Sequence, residues 1–224
     1  MGASSIYNYK AKCAGLCLAL LFFSGCSGIF VEDPMEELAK AINNNSTAKV
    51  QKLLDGGLSV NATTKTGRTP IMMAASKNAT DIIRVLLKNN ADINRRDKKR
   101  QTALHLAARW GKPETVKFLI DNGAEREARD YLSWTPLMWS CLQGRTEVVR
   151  VLLENGASQI KNDAVGNTPL ILAAWRGHTE TADLLISSGS DLNHRNDAGL
   201  NAAGVAEKNG LKELAAHLKA ISEQ

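Results

Sequence analysis

The chain has 224 residues, 44% of them hydrophobic but only 5% aromatic, with a formal net charge of +5. Lys10 and Lys12 are the only charges in residues 1–25, so the remainder carries +3 (5 − 2), too weak a bias to name a partner. The length allows one or two domains, and the order of the elements decides between them.

Residues 1–25 read as an export leader. Lys10 and Lys12 form a basic start, and Ala14 to Phe23 is an apolar run of ten residues. A spanning helix needs about 20, so the run suits a cleavable signal better. Ile6 stands where N-myristoylation wants Ser or Thr. Ser24 and Gly25 directly precede Cys26, a pattern that resembles the lipobox of bacterial lipoproteins. The resemblance implies cleavage after Gly25 and lipidation of Cys26. Phe23 departs from the usual Leu, which leaves an ordinary signal peptide or an uncleaved anchor open. Ser27, where Asp would retain the protein in the inner membrane, points to a periplasm-facing lipoprotein of the outer membrane. A linker at 26–34 follows. Its last eight residues span about 26 Å when extended, which holds whatever follows close to the membrane.

From residue 35 onward the chain repeats. Thr69, Thr102, Thr135 and Thr168 are 33 residues apart, and one further step lands on Asn201. Each Thr is followed by Pro70, Ala103, Pro136 or Pro169, then by Ile71, Leu104, Leu137 or Leu170. Small pairs come next: Ala74-Ala75, Ala107-Ala108, Ser140-Cys141 and Ala173-Ala174. A turn residue, an aliphatic run such as Val85-Leu86-Leu87, and a second turn close the unit. A fixed period of this length marks a stacked array. Thr caps a helix start, and Pro fits the first helical position. Small residues make a helix face thin, so that the next unit can approach. The units fall at 64–96, 97–129, 130–162 and 163–195, with an opening unit at 35–63 and a closing unit at 196–224. Glu36, Glu37 and Lys40 make the opening unit polar. Glu207 and Lys219 occupy slots that are small or aliphatic elsewhere, so they belong on an outer face in water.

The signatures Thr69-Pro70-Ile71, Thr102-Ala103-Leu104-His105-Leu106-Ala107-Ala108, Thr135-Pro136-Leu137 and Thr168-Pro169-Leu170-Ile171-Leu172-Ala173-Ala174 resemble the ankyrin repeat family. The resemblance covers roughly residues 35–224. It implies an all-α solenoid of helix-turn-helix units with hairpin-like turn tips, and a protein-binding concave face made of the tips and the first-helix ends. Carried over by position, the candidate contacts are Arg68, Arg96, Lys98, Lys99, Gln101, Arg109, Trp110, Arg129, Tyr131, Leu132, Trp134, Gln143, Trp175 and Arg176. Positive charge gathers at Arg96, Lys98, Lys99, Arg100 and Arg109, beside an aromatic stripe at Trp110, Tyr131, Leu132, Trp134 and Trp175. Exposed Trp, Tyr and Arg dominate binding hot spots. Trp110, Tyr131 and Trp134 are therefore the expected centre, facing a partner with acidic and apolar groups. A plainer reading stays open, in which the cations are a solvated face and Trp134 packs on its neighbour's tip. Trp139, in the slot of Met73, Leu106 and Leu172, belongs to the core.

Other chemistries find no support. His105 and His178 sit at positions where the family keeps structural residues. Asp97, Asp130 and Asp163 recur at the same spacing, which makes them turn formers rather than an acid–base pair. No phosphate-cradling loop, nucleophile elbow or CxxC motif occurs, so the expectation is no catalysis, no metal and no cofactor. Cys141 fills an alanine slot as a small buried hydrophobe. Export argues against nucleic acid. An anionic glycan or lipid head group is the alternative to a protein of the cell envelope. The membrane is expected to matter only through the lipid anchor, and a monomer is expected.

Overall fold

The computed structural model describes residues 33–223, so Cys26 and the leader lie outside the described residues. Twelve helices follow one another as six antiparallel pairs, and no strand occurs among the described residues. The first helices are α1 (Pro34–Asn43), α3 (Pro70–Ser76), α5 (Ala103–Arg109), α7 (Pro136–Leu142), α9 (Pro169–Arg176) and α11 (Ala202–Lys208). The second helices are α2 (Thr47–Asp55), α4 (Thr80–Lys88), α6 (Pro113–Asp121), α8 (Thr146–Glu154), α10 (Thr179–Ser187) and α12 (Lys212–Ser222).

Local chemistry sets these boundaries. Proline opens α1, α3, α6, α7 and α9, where no N–H is missed. Thr135 and Thr168 accept with their hydroxyls from the N–H groups of Met138 and Ile171, at 3.3 and 3.4 Å. Asn201 caps its helix with its amide oxygen, which accepts from Gly204 N–H at 2.9 Å. Thr69 departs from this scheme: its hydroxyl is buried without a partner.

Helices of seven to eleven residues are too short to be stable alone. Packing between units supplies what they lack. First helices stack on first helices in one layer, and second helices form the other. Ala74, Ala75, Ala107, Ala108, Ser140, Cys141, Ala173 and Ala174 are fully buried at these joints. In the second layer Leu86, Leu119, Leu152 and Leu185 are fully buried. Truncating any of them to Ala costs about 2–5 kcal/mol. Cys141 is buried as its slot requires, and burial pushes its thiol pKa well up, away from a reactive thiolate.

At the far end, Glu207 and Lys219 are both exposed and bind each other at 2.7 Å. The outer face of the last pair is therefore polar.

Candidate partner-binding surface

Each unit begins with a tight tip that precedes its first helix. The tips close by one backbone bond, from Asp97 N–H to the Gln101 carbonyl, Asp130 to Trp134, Asp163 to Asn167 and Asn196 to Leu200, at 2.9–3.0 Å. Inside each tip one side-chain oxygen accepts two backbone N–H groups. Asp97 takes those of Lys99 and Gln101, Asp130 those of Leu132 and Trp134, and Asp163 those of Val165 and Asn167. The recurring aspartates are thus turn formers. Neighbouring tips join through single backbone bonds, such as Lys98 N–H to the Thr66 carbonyl and Tyr131 N–H to the Lys99 carbonyl, both 3.1 Å. The tips are hairpin-like in this bonding, without strands.

The second carboxylate oxygen of each tip faces the preceding unit and builds a ladder along the array. Arg68 Nε lies 3.9 Å from Asp97. Gln101 donates to Asp130 at 3.3 Å and the Trp134 indole N–H to Asp163 at 2.9 Å; at the last joint the direction reverses, and the Asn196 amide donates to the Asn167 side-chain oxygen at 2.8 Å. The Trp139 indole N–H also donates to Asp130, at 2.8 Å. The slot just before each helix-capping Thr is therefore a joint between units.

This corrects part of the expected surface. Gln101 is 1% exposed and Trp134 is 9% exposed, so neither offers itself to a partner. Both are held by the carboxylate of the following tip. Arg68 is half-buried and turned toward Asp97. Trp134 packs edge-to-face on Trp139, with centroids 4.8 Å apart and planes at 67°. Met138, Leu142 and Leu172 complete this cluster, and half-buried Leu132 rests against it. Trp139 is core, as its slot demands.

His105 fastens the same joint. The Thr102 N–H and hydroxyl reach its Nδ1 at 3.1 and 2.9 Å, so Nε2 carries the proton and donates to the Trp134 carbonyl at 3.1 Å. Burial lowers the imidazole pKa and keeps the ring neutral, against the opposing pull of the Trp134 carbonyl and the Asp130 charge.

What remains accessible is narrower than the expected list. Trp110, Tyr131 and Trp175 are 51%, 53% and 44% exposed. Each has a cation against its ring: Arg109 on Trp110 at 5.8 Å, Lys99 on Tyr131 at 5.9 Å, and Arg176 on Trp175 at 5.6 Å. Arg109 also lies 4.5 Å over Trp139. Exposed Trp110 is thus linked through Arg109 to the buried Trp139–Trp134 pair, against which Leu132 packs, with Tyr131 next in the chain. Trp175 stands outside this chain of contacts, at the end of α9. Lys98 and Lys99 are exposed, Gln143 is half-buried, and Arg96 is exposed but pairs with Glu125 at 3.4 Å. Arg129 is half-buried and donates to the carbonyls of Ser133 and Asn162, at 3.0 and 2.8 Å.

No group of three or more His, Cys, Asp or Glu among the described residues could hold a metal ion, and no described helix is long and apolar enough to cross a membrane.

A family model described as ankyrin repeats (3 copies) matches residues 38–130 and 126–196, most of the chain. The chain belongs to the ankyrin repeat family. Ankyrin repeats generally mediate protein–protein interaction and are typically non-catalytic. No curated protein matches the chain.

Proposed function

We propose that this ankyrin array is a protein-binding module whose contact surface is centred on Trp110 and Tyr131, with Arg109, Lys98 and Lys99 around them. Its partner presents apolar groups to the rings and acidic groups to the cations. One observation carries this reading. Three of the large aromatics leave the core, and all three stand at tips or first-helix ends with a cation against the ring. Packing does not require them there, and such residues supply most of the energy in protein interfaces. Trp134 and Trp139 act beneath the surface, as the rigid floor that fixes Arg109.

The leader pattern supports an envelope location, with Cys26 lipidated and the array held near the periplasmic side of the outer membrane. A Cys26→Ala variant that still incorporates labelled acyl chains would reject the anchor.

The binding test is capture of envelope proteins by the full chain and by a Trp110→Ala/Tyr131→Ala double variant. The expected result is loss of the retained protein with unchanged helical content. Equal capture by the two proteins rejects the surface.

A further inference from the structure

A shallow groove lies beside the tip at residues 97–101, lined by Arg96, Arg100, Ile120, Arg126, Glu127 and Arg129 among others. None of Trp110, Tyr131 and Trp175 lines it. Its four arginines are a property of this unit alone. One period earlier, 33 residues back, the same slots hold Thr63, Gly67, Ile93 and Arg96. One period later they hold Arg129, Ser133, Gln159 and Asn162, and two periods later Asn162, Gly166, Leu192 and Arg195.

The backbone adds a second, independent sign. Arg100 has φ +58°, in the left-handed region. The equivalent tip positions are glycine at Gly67, Gly166 and Gly199, with φ of +81°, +78° and +72°. Apart from Arg100, only Ser133 among the described residues holds such a φ without being glycine or asparagine. A long β-carbon-bearing side chain is strained there, and strain of this kind gathers at functional sites. Among the described residues the Arg100 side chain also has no hydrogen-bond or ion-pair partner, though it is exposed in a groove lined by three other arginines.

The groove's acids are already answered. Glu125 meets Arg96 at 3.4 Å, and Glu127 meets Lys161 at 3.1 Å. Arg126 and Arg129 each commit one nitrogen to backbone carbonyls, of Asn155 for the first and of Ser133 and Asn162 for the second. A guanidinium has five N–H donors, so most of theirs stay free. Planar donor forks converging on one groove match the oxygens of a phosphoryl group.

We propose that this groove is a phosphate-binding site, taking a phosphoryl group with Arg100 and Arg126 as its principal donors. The site is separate from the aromatic surface. The ligand chemistry is shared by soluble phosphate esters and anionic phospholipid head groups.

Calorimetric titration of the full chain with pyrophosphate tests it, alongside flotation with phosphatidylglycerol and phosphatidylcholine vesicles. Arg100→Gly and Arg126→Ala are expected to weaken pyrophosphate binding about tenfold or more, the ratio expected from losing one charge-assisted hydrogen bond. Arg95→Ala, an exposed arginine outside the groove, should leave it unchanged. Arg100→Gly should melt no lower than the parent, because it relieves the strained turn. Preference for phosphatidylglycerol that Arg100→Gly abolishes, without pyrophosphate binding, assigns the group to a lipid head. Equal loss in Arg95→Ala, or no loss in either groove variant, overturns the site. So does a parent chain that binds neither pyrophosphate nor phosphatidylglycerol. The Trp110→Ala/Tyr131→Ala variant should still bind, so the two surfaces fail separately.

Discussion

The joint at Asp130 and the joint at Asn196, two periods further on, occupy the same place in their units and are built from different chemistry. Asp130 is 1% exposed and accepts from Leu132 N–H, Trp134 N–H, Gln101 and Trp139. Asn196 is half-buried, accepts from Ala198 and Leu200 N–H, and donates to Asn167. A carboxylate away from water is tolerable only while all its donors remain. An amide that reaches solvent can lose one partner and find water. The central joint is therefore specific and brittle, and the end joint is permissive.

The sharpest way to break this contrast is to remove the acceptors. Asp130→Ala strands three buried donors and one half-buried one and should cost about 3–5 kcal/mol, whereas Asn196→Ala should cost only about 1 kcal/mol, both read by urea denaturation. Equal costs would dissolve the comparison.

Gly144 probes the next joint along. Its φ is +62°, and a β-carbon there would lie 2.5 Å from His178 Nδ1. Gly144→Ala should cost about 2–4 kcal/mol from the left-handed turn and the clash together. Gly210, with φ +77° and open space around it, should show the backbone share alone, about 1–2 kcal/mol.

His105 adds a pH signature to the central joint that the end joint lacks. Its slot holds Met72, Met138 and Ile171 in other units, so Met is a natural replacement. His105→Met removes one of the two hydrogen bonds to the Trp134 carbonyl, which keeps the Asp130 N–H, and should cost about 1 kcal/mol near pH 7.5. The folded pKa lies below the ordinary 6.5, so the unfolded chain takes up the proton first as pH falls. Parent stability should therefore decline below pH 6.5, and the variant should lack that component of the decline.

The smallest effect belongs to the outer face. Lys219 and Glu207 are 51% and 61% exposed at the side chain, so Lys219→Ala should shift stability by less than about 1 kcal/mol and be weaker still in high salt.

The period made the helices, their proline starts, the thin alanine faces and the turn aspartates legible before any coordinates. It did not make the joints legible. Arg68, Gln101, Trp134 and Asn167 differ so much in kind that they resemble a freely varying binding rim. Each places a polar side-chain group at the joint, an N–H donor in the first three and an acceptor oxygen in Asn167, and 29 residues beyond each stands Asp97, Asp130, Asp163 or Asn196. Polarity and spacing together carried the signal; side-chain type alone hid it. Trp110 and Tyr131 were legible because no helical period asks for a ring there. Arg100 was legible as part of a basic surface but not as a strained position, although the glycines at 67, 166 and 199 already marked the slot as left-handed.

The ladder reaches only from one unit to the next, and at Asp97, Asp130 and Asp163 a side-chain N–H of the preceding unit meets a carboxylate each time. Excising residues 130–162 would therefore set Gln101 opposite Asp163, donor against acceptor as before. Such a scaffold can gain or lose whole periods in register without redesigning its seams, which leaves the number of slabs, and so the length of the exposed rim, free to change while each remaining seam keeps its chemistry.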